Sequence, residues 1–179
     1  MRNLQCHLRR ARAERPAAAA ALVMISSLLT SCAFSAVHRP TLPADPALTR
    51  EYPATFTNLY DAARFAVGSM GFNIPYEAAA EGLISTNTLR VPLEDNCDCG
   101  TWNWDRVKGN GDLSLNIRAS EVDAQRSRLR VEAIYQTTFT GRNGYGQVTH
   151  VESYRCLSLG RKERDVFDRV DQYFTMQNR

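Results

Sequence analysis

The chain has 179 residues, 44% hydrophobic and 23% charged, which suffices for one sizeable core and not for several. Its formal net charge is +3, but residues 1–31 carry five of the 22 basic and one of the 19 acidic residues, so the rest holds 17 against 18 and a net charge of about −1. A nucleic-acid partner is therefore not expected, because a phosphate backbone is bound through an excess of Lys and Arg.

The chain opens on a basic stretch with Arg2, Arg9, Arg10, Arg12 and Arg15, followed by an apolar run from Ala17 to about Leu29. Positive, then apolar, then small is the order of a secretory signal. The run is too short for a permanent span, which needs about 20 apolar residues. It ends in Leu29-Thr30-Ser31-Cys32, which resembles the lipobox of bacterial lipoproteins. That resemblance implies cleavage before Cys32, a diacylglyceryl thioether on its sulfur and acylation of the new amino group. The membrane is then a partner through lipid, and two or three acyl chains hold more firmly than one. Asp after the lipidated cysteine commonly retains such proteins in the inner membrane. Here Ala33 follows, so the resemblance implies the outer membrane, facing the periplasm. The other reading of the same residues is ordinary cleavage near Ser31 to Ala33, leaving Cys32 a free thiol.

Residues 32–54 carry Pro40, Pro43, Pro46 and Pro53 without a sustained apolar period, which predicts a stiff tether. A single folded domain is then expected over 55–179. Phe56, Leu59, Tyr60, Ala63, Val67 and Met70 form one helical stripe, with Gly71 placed for a left-handed cap. Phe72, Ile74 and Tyr76 alternate, limited by Pro75, and with Leu83–Val91 predict a hairpin. A long connection runs from Pro92 to Asp112. Beyond it Leu113 to Ala119 and Leu129 to Thr137 alternate apolar with polar, which predicts antiparallel strands with one wet face. A charged loop is expected between them. After a Gly-rich turn over 140–147 comes a fifth strand, Val148–Ser158. Val166, Phe167, Val170, Tyr173 and Phe174 predict a last helix, with Glu163 in its first turn, where acid complements the dipole. The expected fold is α+β: an antiparallel sheet of about five strands with an N-terminal and a C-terminal helix on one face. This order loosely resembles the helix-grip domains in lipoproteins of the outer-membrane β-barrel assembly machinery.

Three sulfurs remain for the folded part: Cys97, Cys99 and Cys156. In an oxidising compartment three cysteines allow one disulfide and one spare thiol. A bridge from Cys156 to the long connection would close a loop worth roughly 4 kcal/mol in chain entropy. A zinc site of the three sulfurs with His150 is the second reading, against which stands the one-residue spacing of Cys97 and Cys99. A Cys97–Cys99 redox pair would close a very small strained ring. Asp98-Cys99-Gly100 followed by Cys156-Leu157-Ser158-Leu159-Gly160-Arg161-Lys162-Glu163 resembles a DCG and CxSxGxxE pattern of small uncharacterised proteobacterial envelope lipoproteins, apart from Leu159 where Thr is usual. The resemblance implies a Cys99–Cys156 disulfide, rather than Cys97–Cys156, with Cys97 spare.

Trp102 and Trp104 flank the sulfurs and read either as a recognition platform or as rings buried over the sheet edge. No nucleophile elbow, S-x-x-K, H-E-x-x-H or phosphate loop occurs, so neither catalysis, a cofactor nor a resident metal is expected. Two functions remain: a structural or adaptor protein that binds another envelope component, and a module for a small hydrophobic ligand or a glycan.

Overall fold

The computed structural model describes residues 37–41, 43, 46–102, 105–142, 145 and 147–177. Cys32 and the expected leader therefore lie outside the described residues.

Strands β1 (Val37–His38) and β2 (Leu48–Tyr52) precede helix α1 (Phe56–Ser69). After it come β3 (Tyr76–Ala78), a 3₁₀ turn over Ala79–Glu81, β4 (Leu83–Ser85) and β5 (Leu89–Pro92). Three two-residue strands follow: β6 (Cys97–Asp98), β7 (Thr101–Trp102) and β8 (Asp105–Arg106). The chain closes with β9 (Asn110–Asp123), β10 (Arg126–Arg142), β11 (Val148–Ser158) and helix α2 (Arg161–Gln177). The fold is α+β, with an antiparallel sheet of eight strands ordered β3-β4-β9-β10-β11-β6, β2 adding to β10 and β5 to β9. Strands β1, β7 and β8 make a separate small sheet.

Helix α1 follows its sequence stripe. Thr55 caps it by accepting from the Asn58 amide at 3.4 Å; Leu59, Tyr60, Ala62, Ala63, Ala66 and Val67 are buried; and Gly71 leaves it at φ +84°. In β9 and β10 the odd residues, Leu113 to Ala119 and Leu129 to Tyr135, are at most 3% exposed, while the even ones are open or half-open. The registers Ala133↔Leu115 and Val131↔Ile117 put these odd side chains on one face, and they form one core cluster with Leu59, Val67, Val166, Phe167 and Val170 of the helices. Both helices thus cover the dry face and leave the even face to water.

Several expectations are corrected. The sheet has eight strands and not about five. The Pro-rich segment is not a tether as far as residue 54: Leu48–Tyr52 pairs with Ser127–Val131 and buries Tyr52 to 6%. Phe72 and Ile74 lie outside β3, and Leu83–Val91 splits in two. Thr86 makes the break: its amide donates to the Leu115 carbonyl at 3.0 Å, while its hydroxyl accepts from the Leu115 amide at 2.9 Å. That exchange lets β4 and β5 cover successive parts of one long β9. The charged stretch between the central strands is no loop. Residues 120–127 continue both strands to a tight turn, where Asp123 accepts from the Gln125 amide and from Arg126 Nε.

Glu163 is also placed differently. It begins α2 as expected but is fully buried, and its Oε1 accepts from the Ala133 amide at 3.4 Å. That amide lies where β10 has lost β2 as a partner after Val131 and has not yet gained β11 at Tyr135. The carboxylate fills a gap in the ladder, since a buried amide without a partner is costly.

Candidate functional site

The sulfurs sit where β6 meets the end of β11. Leu157 faces Asp98 and Ser158 faces Cys97, so the next step of the register sets Cys156 opposite Cys99. Those two are disulfide-bonded, with Cα atoms 4.3 Å apart and a sequence separation of 57. The pairing implied by the resemblance is thus the one the register makes easy. Cys97 stands opposite Ser158, shares a face with Cys99, and keeps a free thiol 3.7 Å from Cys99 Sγ.

The loop carrying them is held from several sides. Leu93 is fully buried, and its carbonyl accepts from the Cys97 amide at 3.0 Å. Asn96 Nδ2 donates to the Pro92 carbonyl at 2.8 Å, and the Asn96 carbonyl accepts from the Leu159 amide at 3.0 Å. The Tyr154 hydroxyl donates to the Cys99 carbonyl at 3.1 Å. β1 then straps the outside, pairing Val37 with Trp102 and His38 with Thr101, while Arg39 forms an ion pair with Glu152 and lies 5.4 Å from the Tyr154 ring centre.

Burial sets the chemistry of Cys97. It pushes the thiol up to about 12, helped by the charge of Asp98, so the sulfur is protonated and a poor nucleophile at neutral pH. Direction matters as well. Thiol–disulfide exchange needs the attacking sulfur in line with the bond it breaks. All three sulfurs lie within 4.8 Å of one another, whereas an in-line approach to Cys99 would carry Cys97 farther than that from Cys156. The cluster is a lock with a spectator thiol beside it. Three sulfurs this close could ligate a soft cation only after reduction of the bond, since a disulfide offers no thiolates. The Tyr135 hydroxyl, raised first by burial and then by Glu163 and Cys97, adds a second inert group behind the cluster.

An alkaline titration tests this. A thiol raised in the folded state holds its proton above pH 9, where the unfolded thiol has lost it. Stability is therefore full below pH 9 and falls as pH rises toward 12, by up to about 1.4 kcal/mol per pH unit. Cys97→Ala is expected to flatten the onset of this fall between pH 9 and 10, below the range of the raised tyrosines. Denaturant midpoints across that range check it, together with maleimide labelling of Cys97 that stays slow until the protein is unfolded.

The other expected site residues divide as follows. Trp102 contributes its backbone to β7, but its side chain, all of Trp104 and the side chain of His150 lie outside the described residues. Three surfaces had no motif to announce them. β10 pairs with β9 only as far as Gln136, yet continues with β11 to Arg142, so the two outrun the sheet as a ribbon. On and near its tip Tyr145 is 92%, Val148 51% and Val151 60% exposed. A cleft of about 540 Å³ lies at the sheet edge between Met70, Phe72, Leu89 and Val91 on one wall and Lys162 and Asp165 of α2 on the other. The open face of the sheet bears Arg118, Arg128, Arg130 and Glu132 at even positions, which in sequence read only as the wet half of an alternation. Among the described residues no helix is long and apolar enough to cross a membrane.

No protein-family model matches the chain, and no curated protein matches it. Among solved structures it is similar to a DUF4468 family protein from Bacteroides ovatus ATCC 8483, with 10% identity and a TM-score of 0.35 over 65% of this chain. The chain spans 64% of that protein's length.

Proposed function

We propose that this chain is a lipid-anchored protein of the bacterial outer membrane, facing the periplasm, that acts as an adaptor by binding another envelope component and carries out no catalysis. Anchor and compartment rest on the lipobox resemblance at Cys32. The binding role rests on the β10–β11 ribbon. A two-stranded ribbon beyond its sheet gains little stability for itself. This one nonetheless exposes a tyrosine and two valines, and desolvated aromatic side chains are typical anchors of protein interfaces.

The test is photo-crosslinking from residue 145 in intact membranes, with residue 176 as a distant exposed control. One protein recovered reproducibly from 145 and not from 176, and lost in Val151→Asp, is the expected result. Recovery of bulk lipid alone would count decisively against an adaptor.

A second reading is favoured by the cleft. Its volume falls in the range of small-molecule sites, and its apolar wall faces a polar one, as a small hydrophobic ligand with a polar end would need. Such a ligand would sit at the sheet edge beside α2 and not in the core, where Leu59, Val67 and Leu115 already fill the space. A native mass spectrum without any adduct would defeat this reading.

A further inference from the structure

We infer that the cleft at the sheet edge binds a single-chain aliphatic carboxylate, with Arg169 of α2 holding the carboxylate group. This rests on the reading of the cleft as a ligand site and adds the chemistry of the ligand.

The floor of the cleft belongs to the dry face of the sheet. Leu89 of β5 is opposite Leu113 of β9, and Val91, two residues on, points to the same side. Leu113 is fully buried, whereas Leu89, Val91 and Met70 are only half-buried. Helix α1 ends at Ser69 and the chain turns at Gly71, so α1 supplies the end of the cleft and not a cover for it. Apolar side chains left half-open to water in a recess gain from a hydrocarbon chain laid over them.

The opposite wall is sorted by charge. With about 3.6 residues per turn, Lys162 and Arg169 fall on the flank of α2 beside the buried Val166 and Val170, whereas Asp165, Asp168 and Gln172 lie farther round toward solvent. The cations form the inner row and the acids the outer one. Lys162 is closed on Asp165 at 2.7 Å. Arg169 makes no hydrogen bond, ion pair or ring contact among the described residues, so it is the cation of this wall that is free for a ligand. Its guanidinium fork matches a carboxylate with two hydrogen bonds, and its stem can lie along apolar surface while it does so. Gln172, equally free among the described residues, adds an amide donor to the same wall. Asp165 and Asp168 penalise a dianionic head more than a singly charged one, which separates a carboxylate from a phosphate ester. The volume of about 540 Å³ lies toward the small end of ligand sites, room for one chain.

The full chain is to be titrated with decanoate, decanol, decylamine and decyl phosphate, each below its micelle-forming concentration, following the methyl signals of Met70, Leu89, Val91 and Leu113 by NMR. Decanoate is expected to shift these signals and to bind at least tenfold more tightly than each of the others. Octanoate is expected to bind roughly tenfold more weakly than decanoate, because two buried methylenes are lost. Arg169→Gln is expected to weaken decanoate at least tenfold and to leave decanol within about twofold of its parent affinity. Arg169→Glu is expected to make decylamine the better ligand. Arg161→Gln removes an exposed cation of the same helix that does not line the cleft, and is expected to leave decanoate binding unchanged. Three outcomes overturn the inference while the cleft remains a ligand site: decanol or decylamine binding as tightly as decanoate, tighter binding of decyl phosphate, or full decanoate affinity in Arg169→Gln. Absence of any shift with decanoate also overturns it, and the ligand reading then stands or falls by the native mass spectrum. The crosslink from residue 145 is expected to be the same in Arg169→Gln, so the adaptor role is tested apart.

Discussion

Replacing Cys99 and Cys156 together by alanine is expected to lower the unfolding free energy by about 4 kcal/mol. The bond ties residues 57 apart, and in the chain-entropy account the unfolded chain regains the freedom of that whole loop. The loss is large against the 5–15 kcal/mol that roughly bounds domain stabilities, so the double variant should be marginal at 37 °C. The structure also says where the damage falls. Among the described residues, 93–109 are held to the main sheet by the two-residue strand β6, the buried Leu93, the hydrogen bonds of Asn96 to Pro92 and Leu159 and the Tyr154 hydroxyl, besides the bond itself. Without the bond this loop opens first, and β11 loses its outer partner. Denaturant unfolding of parent and variant should give a lower midpoint with a slope that stays the same or rises, because the unfolded chain without the crosslink is less compact. A midpoint unchanged by the double substitution would show that the bond closes nothing the fold depends on. The single variant Cys156→Ala is the less informative probe, because it leaves the Cys97 thiol 3.7 Å from an unpaired Cys99.

The parts of this fold that were legible in sequence are those whose side chains feel a periodic environment. Leu113 to Ala119 and Leu129 to Thr137 alternate because one face of β9 and β10 is dry and the other wet, and α1 is striped because only one side of it meets the core. Strand β2 had no such mark. Of its five residues only Tyr52 is buried, and its pairing is made by the backbone of Ser127–Val131, which leaves no trace in residue type. The charged residues 120–127 misled in the opposite sense. Residues 121–126 are polar because the end of that hairpin is exposed to water, not because it lacks strand structure. The disulfide was legible through a resemblance, but its physical reason, a register that sets Cys156 against Cys99 and Ser158 against Cys97, exists only once β6 and β11 have met. The ribbon was illegible for a related reason. Its projection is a difference in length between β10 and β9, and no residue of either strand encodes where its neighbour stops.

Gly100→Ala is the second large effect. Gly100 has φ +82°, and a Cβ there would lie 1.9 Å from the His38 carbonyl oxygen and 3.2 Å from Arg39 Cα. These are backbone atoms, so no rotamer change relieves them. Two costs add: the left-handed backbone, about 1–2 kcal/mol for a residue with a Cβ, and the displacement of β1. Gly71 separates the two costs, because it has nearly the same φ, +84°, but nothing within 4 Å of its Cβ position. Gly71→Ala should therefore show the backbone cost alone, and Gly100→Ala a loss about twice as large. The Gly100 loss also has a local signature. Moving His38 breaks the pairing of β1 with β7 and draws Arg39 from Glu152 and from the Tyr154 ring, while the Cys99–Cys156 bond still holds the loop to β11. Hydrogen exchange should quicken at Thr101 and Trp102 while the amides of β9 stay protected.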